Sequence, residues 1–249
     1  MEEEWIAGKH SVLEALRSGH TINKILIADN SQASLTQPIV EEAKKSGVLV
    51  QFVDKRKLDQ LVNHSQHQGV IAQAAAYEYV EIEDILAAAK TKNEDPFILI
   101  LDEIEDPHNL GSILRTADCT GVHGVIIPKR RSVGLTATVS KVSAGAVEYV
   151  PVARVTNIAQ TIELLKEQGV WIAGADGSAK QSVYQSNLNL PLAIVIGNEG
   201  KGIGRLIKEK CDFLIKLPML GNIQSLNASV AAGVLMYEAV RQRQLTRHG

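Results

Sequence analysis

The chain has 249 residues, of which 45% are hydrophobic and 22% are charged, and its formal net charge is −2. This composition excludes a disordered or fibrous chain and is typical of a globular protein with one large or two smaller domains. A charge so close to neutral argues against a protein that coats nucleic acid indiscriminately, although it leaves room for local basic patches.

The sequence also argues against membrane insertion, export and metal binding. No apolar stretch approaches the roughly 20 residues of a membrane-spanning helix, and the start, MEEEWIAGKH, does not resemble a signal peptide. We therefore expect a cytoplasmic protein. The two cysteines, Cys119 and Cys211, lack metal-ligand spacing, so we expect two small buried thiols and neither a disulfide nor a zinc site.

The first part of the chain alternates short helical and strand patterns. The predicted helices are SVLEALRSG, PIVEEAKKSG and KLDQLVN, and the predicted strands are KILIAD, VLVQFVD and GVIAQAAAY. This alternation predicts a small α/β domain at residues 1–76. Its basic triplet Lys55–Arg56–Lys57, taken alone, is more typical of a solvated face.

Residues 77–95 combine alternating charge, a short amphipathic helix and a polar stop before Pro96. This composition predicts an interdomain linker.

The remaining residues, 96–249, again alternate strands and helices. The predicted strands are FILILDEI, GVIIPK, EYVPVA, VWIAGAD, LAIVIGNE and FLIKLPM. The helices between and after them are NLGSILRTAD, TATVSKVSAG, IAQTIELLKEQ, IGRLIKEKC and SLNASVAAGVLMYEAVRQRQ. The alternation predicts an α/β domain with a largely parallel sheet. A second basic triplet, Lys129–Arg130–Arg131, is again compatible with a solvated face.

The stretch DPHNLGSILRTAD, residues 106–118, follows an apolar run and then repeats apolar residues at helical spacing. It is predicted to join a strand to a helix, and in open parallel sheets the carboxyl ends of strands are where ligands bind. Asn109 and Arg115 are the polar candidates here. Taken alone, Asn109 is also compatible with a simple helix cap, and Arg115 with a solvated charge.

A second joint, LAIVIGNEGKGIG at residues 192–204, ends a strand in a glycine-rich turn that contains Glu199. Glycines allow backbone to approach a ligand closely, which favours a nucleotide-like cofactor. The spacing does not fit GxGxxG, because Arg205 stands where the third glycine belongs, or the P-loop, because Ile203 replaces its lysine. Neither a Rossmann dinucleotide site nor an NTPase is expected.

A third joint, IKLPMLGNIQSLNASVAAGVLMYEA at residues 215–239, closes a strand, turns through Gly221 and opens a long helix. Ser225, Asn227 and Ser229 stand at the head of this helix. Ser225 alone is equally compatible with an ordinary N-cap residue.

Together the three joints resemble the three sequence motifs of the SpoU family of RNA ribose 2′-O-methyltransferases, which belong to the knotted SPOUT class. The elements HNLGSILRTAD, GNEGKGI and LPMLGNIQSLNASVAAG occur in the family's order and spacing. The pieces GKHSVLEAL and QGVIAQ also look like the small L30e-like domain of the subgroup that methylates a guanosine in 23S ribosomal RNA. The resemblance covers essentially the whole chain.

The resemblance implies a deep trefoil knot in the carboxy-terminal domain and S-adenosylmethionine (SAM) as cofactor, without a metal. The residues that it implies at the reaction site are Asn109, Arg115, Glu199, Ser225 and Asn227. Those that it implies around the cofactor are Ile196, Gly197, Gly202, Ile215, Leu217, Leu226 and Asn227.

The implied reaction is an in-line attack of a ribose 2′-oxygen on the methyl group of a sulfonium. A guanidinium is a poor proton acceptor, so we interpret Arg115 as an electrostatic stabiliser of the developing alkoxide and a clamp on a phosphate. Glu199 is expected to orient Arg115 or Asn109. Asn109, Ser225 and Asn227 are expected to orient the ribose and the cofactor, and the acceptor of the proton stays open.

The implied partner is RNA, which the amino-terminal domain is expected to select. 23S ribosomal RNA is favoured as the substrate, and neither DNA nor a membrane is expected as a partner. The resemblance also implies a homodimer. An apolar stripe on the last helix is compatible with a dimer interface or with ordinary core packing, and its members are Val230, Val234, Tyr237 and Val240. Two alternatives remain: methylation of a transfer RNA ribose, and a non-catalytic RNA-binding or ribosome-associated protein, against which the intact motif residues argue.

Overall fold

The computed structural model describes residues 5–62, 67–75 and 77–247, with side chains as far as Gln244. The chain divides into two compact units. Unit 1 contains the residues up to Glu78 together with Gly134–Thr138, and unit 2 contains Tyr79–Val133 and the residues from Val139 onward. The expected domain limits at residues 1, 76 and 249, and Asn63 at the end of a predicted helix, lie outside the described residues.

Unit 1 is built on a four-stranded sheet. Its elements are β1 (Trp5–Ala7), α1 (Lys9–Arg17), β2 (Ile22–Ala28), α2 (Ala33–Lys45), β3 (Leu49–Val53), α3 (Lys55–Leu61) and β4 (Val70–Ala74). The strand order is β1-β4-β2-β3, in which β2 and β3 are parallel and the other pairs antiparallel. Ile25 and Ile27 of β2 are buried in one hydrophobic cluster and Leu26 in another, because successive side chains of a strand point to opposite faces.

Unit 2 is built on a seven-stranded sheet. Its strands are β5 (Phe97–Leu101), β6 (Gly124–Pro128), β7 (Val152–Val155), β8 (Trp171–Ala175), β9 (Gln181–Ser182), β10 (Leu192–Ile196) and β11 (Phe213–Lys216). The α-helices after residue 79 are α4 (Ile82–Thr91), α5 (Pro107–Cys119), α6 (Ala137–Val142), α7 (Ile158–Glu167), α8 (Arg205–Lys210) and α9 (Ala228–Arg247).

The strand order in unit 2 is β7-β6-β5-β10-β8-β11-β9, and all the neighbouring pairs are parallel. The expected α/β domain with a largely parallel sheet is therefore confirmed. Every residue of β5 and of β10 is buried, as the continuous apolar runs indicate. Because parallel strands end at the same edge, the loops that follow β5, β6, β10 and β11 lie along one edge of the sheet.

The segment that was expected to be a polar linker belongs to unit 2 from Tyr79 onward. The N–H of Val80 donates to the carbonyl of Val152 at 2.9 Å. Ile82 and Ile85 of α4 are buried in the hydrophobic core of this unit. The segment from Tyr79 onward is therefore part of the folded unit 2 and not a flexible linker. So short an amphipathic helix is stable only when its apolar face is covered.

One predicted strand starts later than expected. The strand predicted at residues 148–153 begins at Val152, because the chain first forms a 3₁₀ turn at Ala146–Glu148. Gly145 introduces that turn with a φ of +89°, in the left-handed region.

Candidate active site

One carboxylate oxygen joins three segments of unit 2. Oε1 of Glu199, in the loop after β10, accepts hydrogen bonds from Nδ2 of Asn109 at 2.9 Å, from Nδ2 of Asn227 at 2.6 Å and from the N–H of Ala228 at 3.0 Å. Nδ2 of Asn227 also donates to Oδ1 of Asn109 at 2.9 Å. We call Asn109, Glu199 and Asn227 the polar cluster. It brings together one residue from each of the three motif joints.

Asn109 lies in the first turn of α5 and is only 8% exposed. The helix begins at Pro107, which suits the first helical position, and is capped by Asp106, whose carboxylate accepts the N–H of His108 at 2.8 Å. The alternative that Asn109 is the helix cap is therefore wrong. Among the described residues its amide nitrogen donates only to Glu199, so one amide hydrogen remains unused.

Asn227 caps α9, which corrects the reading of Ser225 as the N-cap. Oδ1 of Asn227 accepts the N–H of Ser229 at 3.0 Å and that of Val230 at 3.3 Å. Both of its amide hydrogens bind the other two members of the polar cluster. The side chain of Asn227 therefore anchors the cluster to the start of the helix.

The loop that carries Glu199 is a turn in which two positions require glycine. A Cβ on Gly197 would overlap the backbone of Gly202, and Gly202 has a φ of +67°. The N–H of Gly202 donates to the carbonyl of Asn198 at 2.7 Å, and Nδ2 of Asn198 donates to the carbonyl of Glu103 at 3.2 Å. The turn is thereby fixed to the end of β5.

Asp102, at the end of β5, holds the other side of this turn and is a residue that the sequence reasoning missed. Its Oδ2 accepts the N–H of Gly204 at 2.8 Å, and its own N–H donates to the carbonyl of Ile196 at 2.8 Å. Burial raises the pKa of Asp102 above its ordinary value, and the bond from Gly204 opposes part of this effect. Its place directly after an apolar strand was the signal available in the sequence.

A cleft of about 150 Å³ opens beside the polar cluster. Glu199 and Ser225 line it, whereas Asn227 does not. All the other residues that were expected around a cofactor line it, and they are Ile196, Gly197, Gly202, Ile215, Leu217 and Leu226. The ends of three strands and the start of α9 therefore converge on one pocket.

The segment at residues 218–226 contributes four residues to the wall of this cleft, namely Met219, Gln224, Ser225 and Leu226. In the part of the chain that the structure describes, no backbone N–H of this segment donates to another backbone group. Such groups need a partner when they are removed from water. Ile196, Ile215 and Leu226 provide an apolar surface beside them. The cleft suits a flat apolar ring whose edge carries hydrogen-bonding nitrogens.

Asp176 directly follows β8, lines the same cleft and was also missed from the sequence. It forms an ion pair with Lys208 at 2.6 Å and accepts hydrogen bonds from the N–H and the hydroxyl of Ser178. Burial alone would raise the pKa of Asp176, but these bonds lower it below its ordinary value. Its carboxylate is therefore ionised at neutral pH, and only its position at the end of a parallel strand could have indicated it.

Arg115 lies outside the polar cluster. It is exposed on α5, and within the described residues it makes no hydrogen bond or ion pair. Six residues after Asn109, its side chain leaves the helix about 120° away around the axis. Glu199 therefore contacts Asn109 and not Arg115.

The cysteines divide between two environments. Cys119 is exposed, so the expectation that both thiols are buried is wrong for this residue. Burial raises the pKa of the half-buried Cys211 to about 12, which leaves it unreactive. Over the described ranges of the chain there is no group of three His, Cys, Asp or Glu side chains arranged to hold a metal ion. The same ranges contain no helix of the length and hydropathy that spanning a membrane requires.

Two family models match the chain. Residues 96–237 match the SpoU rRNA Methylase family, and residues 5–80 match the model described as RNA 2′-O ribose methyltransferase substrate binding. The chain belongs to the SpoU family. SpoU enzymes use SAM to methylate RNA, and the two matches together assign this chain to SAM-dependent methylation of an RNA ribose.

Relatives of this SpoU protein match nearly all of its length. YacO of Bacillus subtilis (strain 168), assigned to the TrmH family of tRNA/rRNA methyltransferases, is 58% identical over 242 residues, which is 97% of each chain. A protein of Staphylococcus aureus (strain MSSA476) with the same assignment is 53% identical over 243 residues, which is 98% of each chain.

Solved structures share the fold. The SpoU methyltransferase AviRb from Streptomyces viridochromogenes, solved in complex with SAM, has a TM-score of 0.63 and 23% identity, and the match covers 98% of this chain and 91% of that chain. The A. aeolicus TrmH/SpoU tRNA modifying enzyme has a TM-score of 0.55 and 29% identity over 61% of this chain and 77% of its own.

The residues of the cleft fit the SpoU cofactor. The apolar side chains of the cleft and the backbone N–H groups beside them suit an adenine ring. The carboxylates of Asp176 and Glu199 line the same cleft, where Lys208 pairs with Asp176 and Lys216 is a further lining residue.

Proposed function

We propose that this SpoU enzyme methylates the ribose 2′-oxygen of a guanosine in 23S ribosomal RNA, in the cytoplasm. The polar cluster carries the proposal, because Glu199 lines the cofactor cleft and holds Asn109 with one amide hydrogen unused. The choice of ribosomal RNA is supported by the match of residues 96–237 to the SpoU rRNA Methylase family and by the resemblance of the amino-terminal domain to the L30e-like domain of the 23S ribosomal RNA subgroup.

Methylation of a transfer RNA ribose is the second candidate. The names of the curated relatives include both substrates, and the A. aeolicus tRNA modifying enzyme matches 61% of this chain. We favour ribosomal RNA because the amino-terminal domain resembles that of the subgroup that methylates 23S ribosomal RNA, and unit 1 has a hydrophobic core of its own with which it can act as a separate reader. A non-catalytic role is disfavoured by the intact polar cluster, whose hydrogen bonds hold Asn109 beside the cleft.

In the proposed reaction Asn109 is the catalytic residue that contacts the ribose. When bound, the cofactor supplies an electrophilic methyl group on a positively charged sulfur. The unused amide hydrogen of Asn109 donates to the ribose and fixes its oxygen for in-line attack. Glu199 is a positioning residue, since its Oε1 holds the Asn109 amide in one orientation. Ser225, on the wall of the cleft, orients the ribose or the cofactor with its hydroxyl.

Arg115 stabilises the developing alkoxide and holds a neighbouring phosphate in this proposal. The bidentate geometry of a guanidinium suits both tasks. Its exposed position on α5 leaves it without a partner among the described residues, and it lies outside the polar cluster of its own chain. We infer that it serves the site of a second subunit.

A homodimer is supported by the exposed face of α9. Val230, Val234 and Tyr237 are exposed along one face of the helix, so this part of the apolar stripe is not core packing. A Cβ on Gly233 would lie 3.9 Å from the side chain of Thr116, which places α9 directly against α5. Arg115 therefore borders the proposed dimer face.

A deep trefoil knot is also part of this proposal. It is supported by the order of the strands, since β10 lies between β5 and β8 while the later β11 lies beyond β8. The chain then returns to α5, where Thr120 bonds to Met236 of α9.

Methylation with radiolabelled SAM tests the proposed function. Ribosomal RNA and transfer RNA are prepared separately from a strain lacking the gene, and the labelled nucleosides are identified after digestion. We expect 2′-O-methylguanosine from 23S ribosomal RNA. Label in transfer RNA alone would establish the second candidate, and SAM binding without transfer to either RNA would establish a non-catalytic protein.

A further inference from the structure

The basic triplet Lys129–Arg130–Arg131 has no part in the site described so far. It follows β6, which is the neighbour of β5 in the sheet, and it therefore lies on the sheet edge that carries the polar cluster. We call residues 129–133 the β6 loop.

The β6 loop is fixed at several points. The N–H of Lys129 donates to the carbonyl of Val155 at 2.8 Å, and the N–H of Val133 donates to the carbonyl of Ile104 at 3.0 Å. The hydroxyl of Ser132 donates to the carbonyl of Pro128 at 2.8 Å. These bonds hold the backbone of the loop at both ends and near its middle.

Arg131 forms an ion pair with Glu103 and keeps an exposed side chain. Its Nη1 lies 2.8 Å from Oε1 of Glu103, and both residues are non-glycines with positive φ, +55° for Arg131 and +58° for Glu103. Backbone strain of this kind persists where the surrounding structure requires it and is concentrated at functional sites. The carbonyl of the same Glu103 accepts the hydrogen bond from Asn198 in the turn that carries Glu199. The ion pair therefore connects the β6 loop to the polar cluster.

Arg130 is the residue that this arrangement leaves available. It is exposed, and within the described part of the chain it makes no hydrogen bond or ion pair. Exposed arginines are ordinary, but this one stands on a strained, fixed loop at the edge of an RNA-modifying site. An exposed guanidinium without a protein partner, carried by a loop whose backbone is held, suits a phosphate group, which it can bind through two hydrogen bonds.

We propose that the β6 loop is a phosphate-binding surface for the RNA strand beside the target nucleotide, with Arg130 as the contact and the Glu103–Arg131 pair as its brace. The inference rests on the proposed function and deepens it. It assigns part of substrate binding to unit 2, so that RNA is held at the catalytic edge of the sheet as well as by unit 1.

The test uses the full-length enzyme and deproteinised ribosomal RNA from a strain lacking the gene. RNA binding is measured at several salt concentrations for the wild type, for Arg130→Gln and for a matched control, Lys92→Gln. Lys92 is exposed in the same unit but follows α4 and precedes β5, at the opposite edge of the sheet. Binding of SAM alone is measured by calorimetry in parallel.

We expect Arg130→Gln to raise the Kd for RNA about 3- to 10-fold, the range of one hydrogen-bonded contact, and to reduce the slope of log Kd against log salt by about one. The KM for RNA rises in step, while kcat at saturating RNA and the affinity for SAM stay at the wild-type values. Equal RNA affinity and salt slope in Arg130→Gln and Lys92→Gln would overturn the proposal.

Arg131→Gly tests the brace separately. Glycine suits a positive φ, so the thermal midpoint is expected to be maintained or raised while RNA binding weakens. Unchanged RNA binding in Arg131→Gly would exclude the brace. If the wild type binds ribosomal RNA with a salt slope that depends on Arg130 but transfers no methyl group, the proposed function fails and the phosphate-binding surface stands.

Discussion

Asn227 donates a hydrogen bond of 2.6 Å to the carboxylate of Glu199, which precedes it by 28 residues in the chain. The oxygen of the same amide caps the last helix. One side chain therefore sets both the first turn of α9 and the orientation of the polar cluster. Substitutions of Asn227 can separate these two roles, because one substitution removes the oxygen that caps α9 and another removes only the amide hydrogens that bind Glu199.

Asn227→Asp should keep the helix but lose the activity. Aspartate caps a helix as well as asparagine, whereas Asn227→Ala should lose about 1 kcal/mol of stability with the cap. Asp at this position has no amide donor and sets a second carboxylate against Glu199, so we expect turnover to fall on the order of 10²-fold. Thermal unfolding and single-turnover methylation measure the two effects.

The matched control for this pair is Asn157→Asp. Asn157 caps α7, where its Oδ1 accepts the N–H of Gln160 at 3.2 Å. This variant should retain wild-type turnover. If Asn227→Asp also did so, the polar cluster would have no role in catalysis.

Gly197→Ala should disturb the turn that carries Glu199. The added methyl group would meet the backbone of Gly202, which has no flexible side chain to give way. We expect a loss of about 1–3 kcal/mol of stability, as for other overpacked sites, and weaker SAM binding. Gly200→Ala is the control in the same turn, since its nearest neighbour is Oδ1 of Asn198 at an ordinary 3.5 Å. Equal SAM affinity in the two variants, measured by calorimetry, would argue against the close approach.

Arg115→Lys should lose most of the activity while keeping the affinity for SAM. Lysine retains the charge but lacks the planar fork that can hold an alkoxide and a phosphate together, and we expect a loss on the order of 10²-fold in turnover. Near-normal single-turnover methylation by this variant would remove Arg115 from the mechanism.

A mixing experiment tests whether Arg115 serves the partner subunit. Arg115→Ala and Glu199→Gln are each expected to be inactive as homodimers. In a mixed dimer the wild-type Arg115 of the second chain and the wild-type Glu199 of the first meet in one of the two sites, so activity should return on mixing. No recovery, with mixed dimers demonstrated, would place Arg115 in the site of its own chain.

The amino-terminal unit should be removed at residue 78, where unit 2 begins, and not together with the segment that was expected to be a linker. A fragment that begins at residue 95 lacks α4, and with it the buried Ile82 and Ile85, each of which contributes about 2–5 kcal/mol when truncated to alanine. We expect that fragment to be unfolded. The fragment at residues 79–249 should bind SAM within a few-fold of the full chain but methylate ribosomal RNA far more slowly.

The reason for the slower reaction is the loss of the substrate reader. Unit 1 carries the basic triplet Lys55–Arg56–Lys57, which can make salt-dependent contacts to phosphate. If the fragment at residues 79–249 methylates ribosomal RNA at the full-length rate in moderate salt, unit 1 does not select the substrate. The preference for ribosomal over transfer RNA then loses its main support.

Continuous apolar runs such as residues 97–101 were sufficient to predict the buried strands, because a parallel sheet covered on both faces leaves them no other environment. The partner of an apolar face was not predictable. The stripe formed by Ile82, Ile85 and Ala89 is readable as amphipathic, but nothing local shows that the core of unit 2 covers it. This is why the segment was expected to be a linker.

The contacts of the candidate site were likewise not predictable from the local sequence. Ser225 and Asn227 are both good N-cap residues, and the helix starts after Asn227 because Glu199 takes the N–H of Ala228 at 3.0 Å. That carboxylate lies 29 residues earlier in the chain, and Asn109 lies 90 residues before Glu199. Contacts at such separations follow from topology and not from spacing. Asp176 was missed for the same reason, since only the sheet order brings its strand beside β10.

Mapping of 2′-O-methyl groups in total RNA tests the central claim most directly. A strain lacking the gene is compared with the same strain carrying the wild type, Glu199→Gln or the surface control Glu209→Gln, whose carboxylate pairs with Arg205 at 2.8 Å. We predict that one 2′-O-methylguanosine of 23S ribosomal RNA is absent without the gene, restored by the wild type and by Glu209→Gln, and not restored by Glu199→Gln. Loss of a methyl group from transfer RNA instead, no change in any RNA, or full restoration by Glu199→Gln would contradict it.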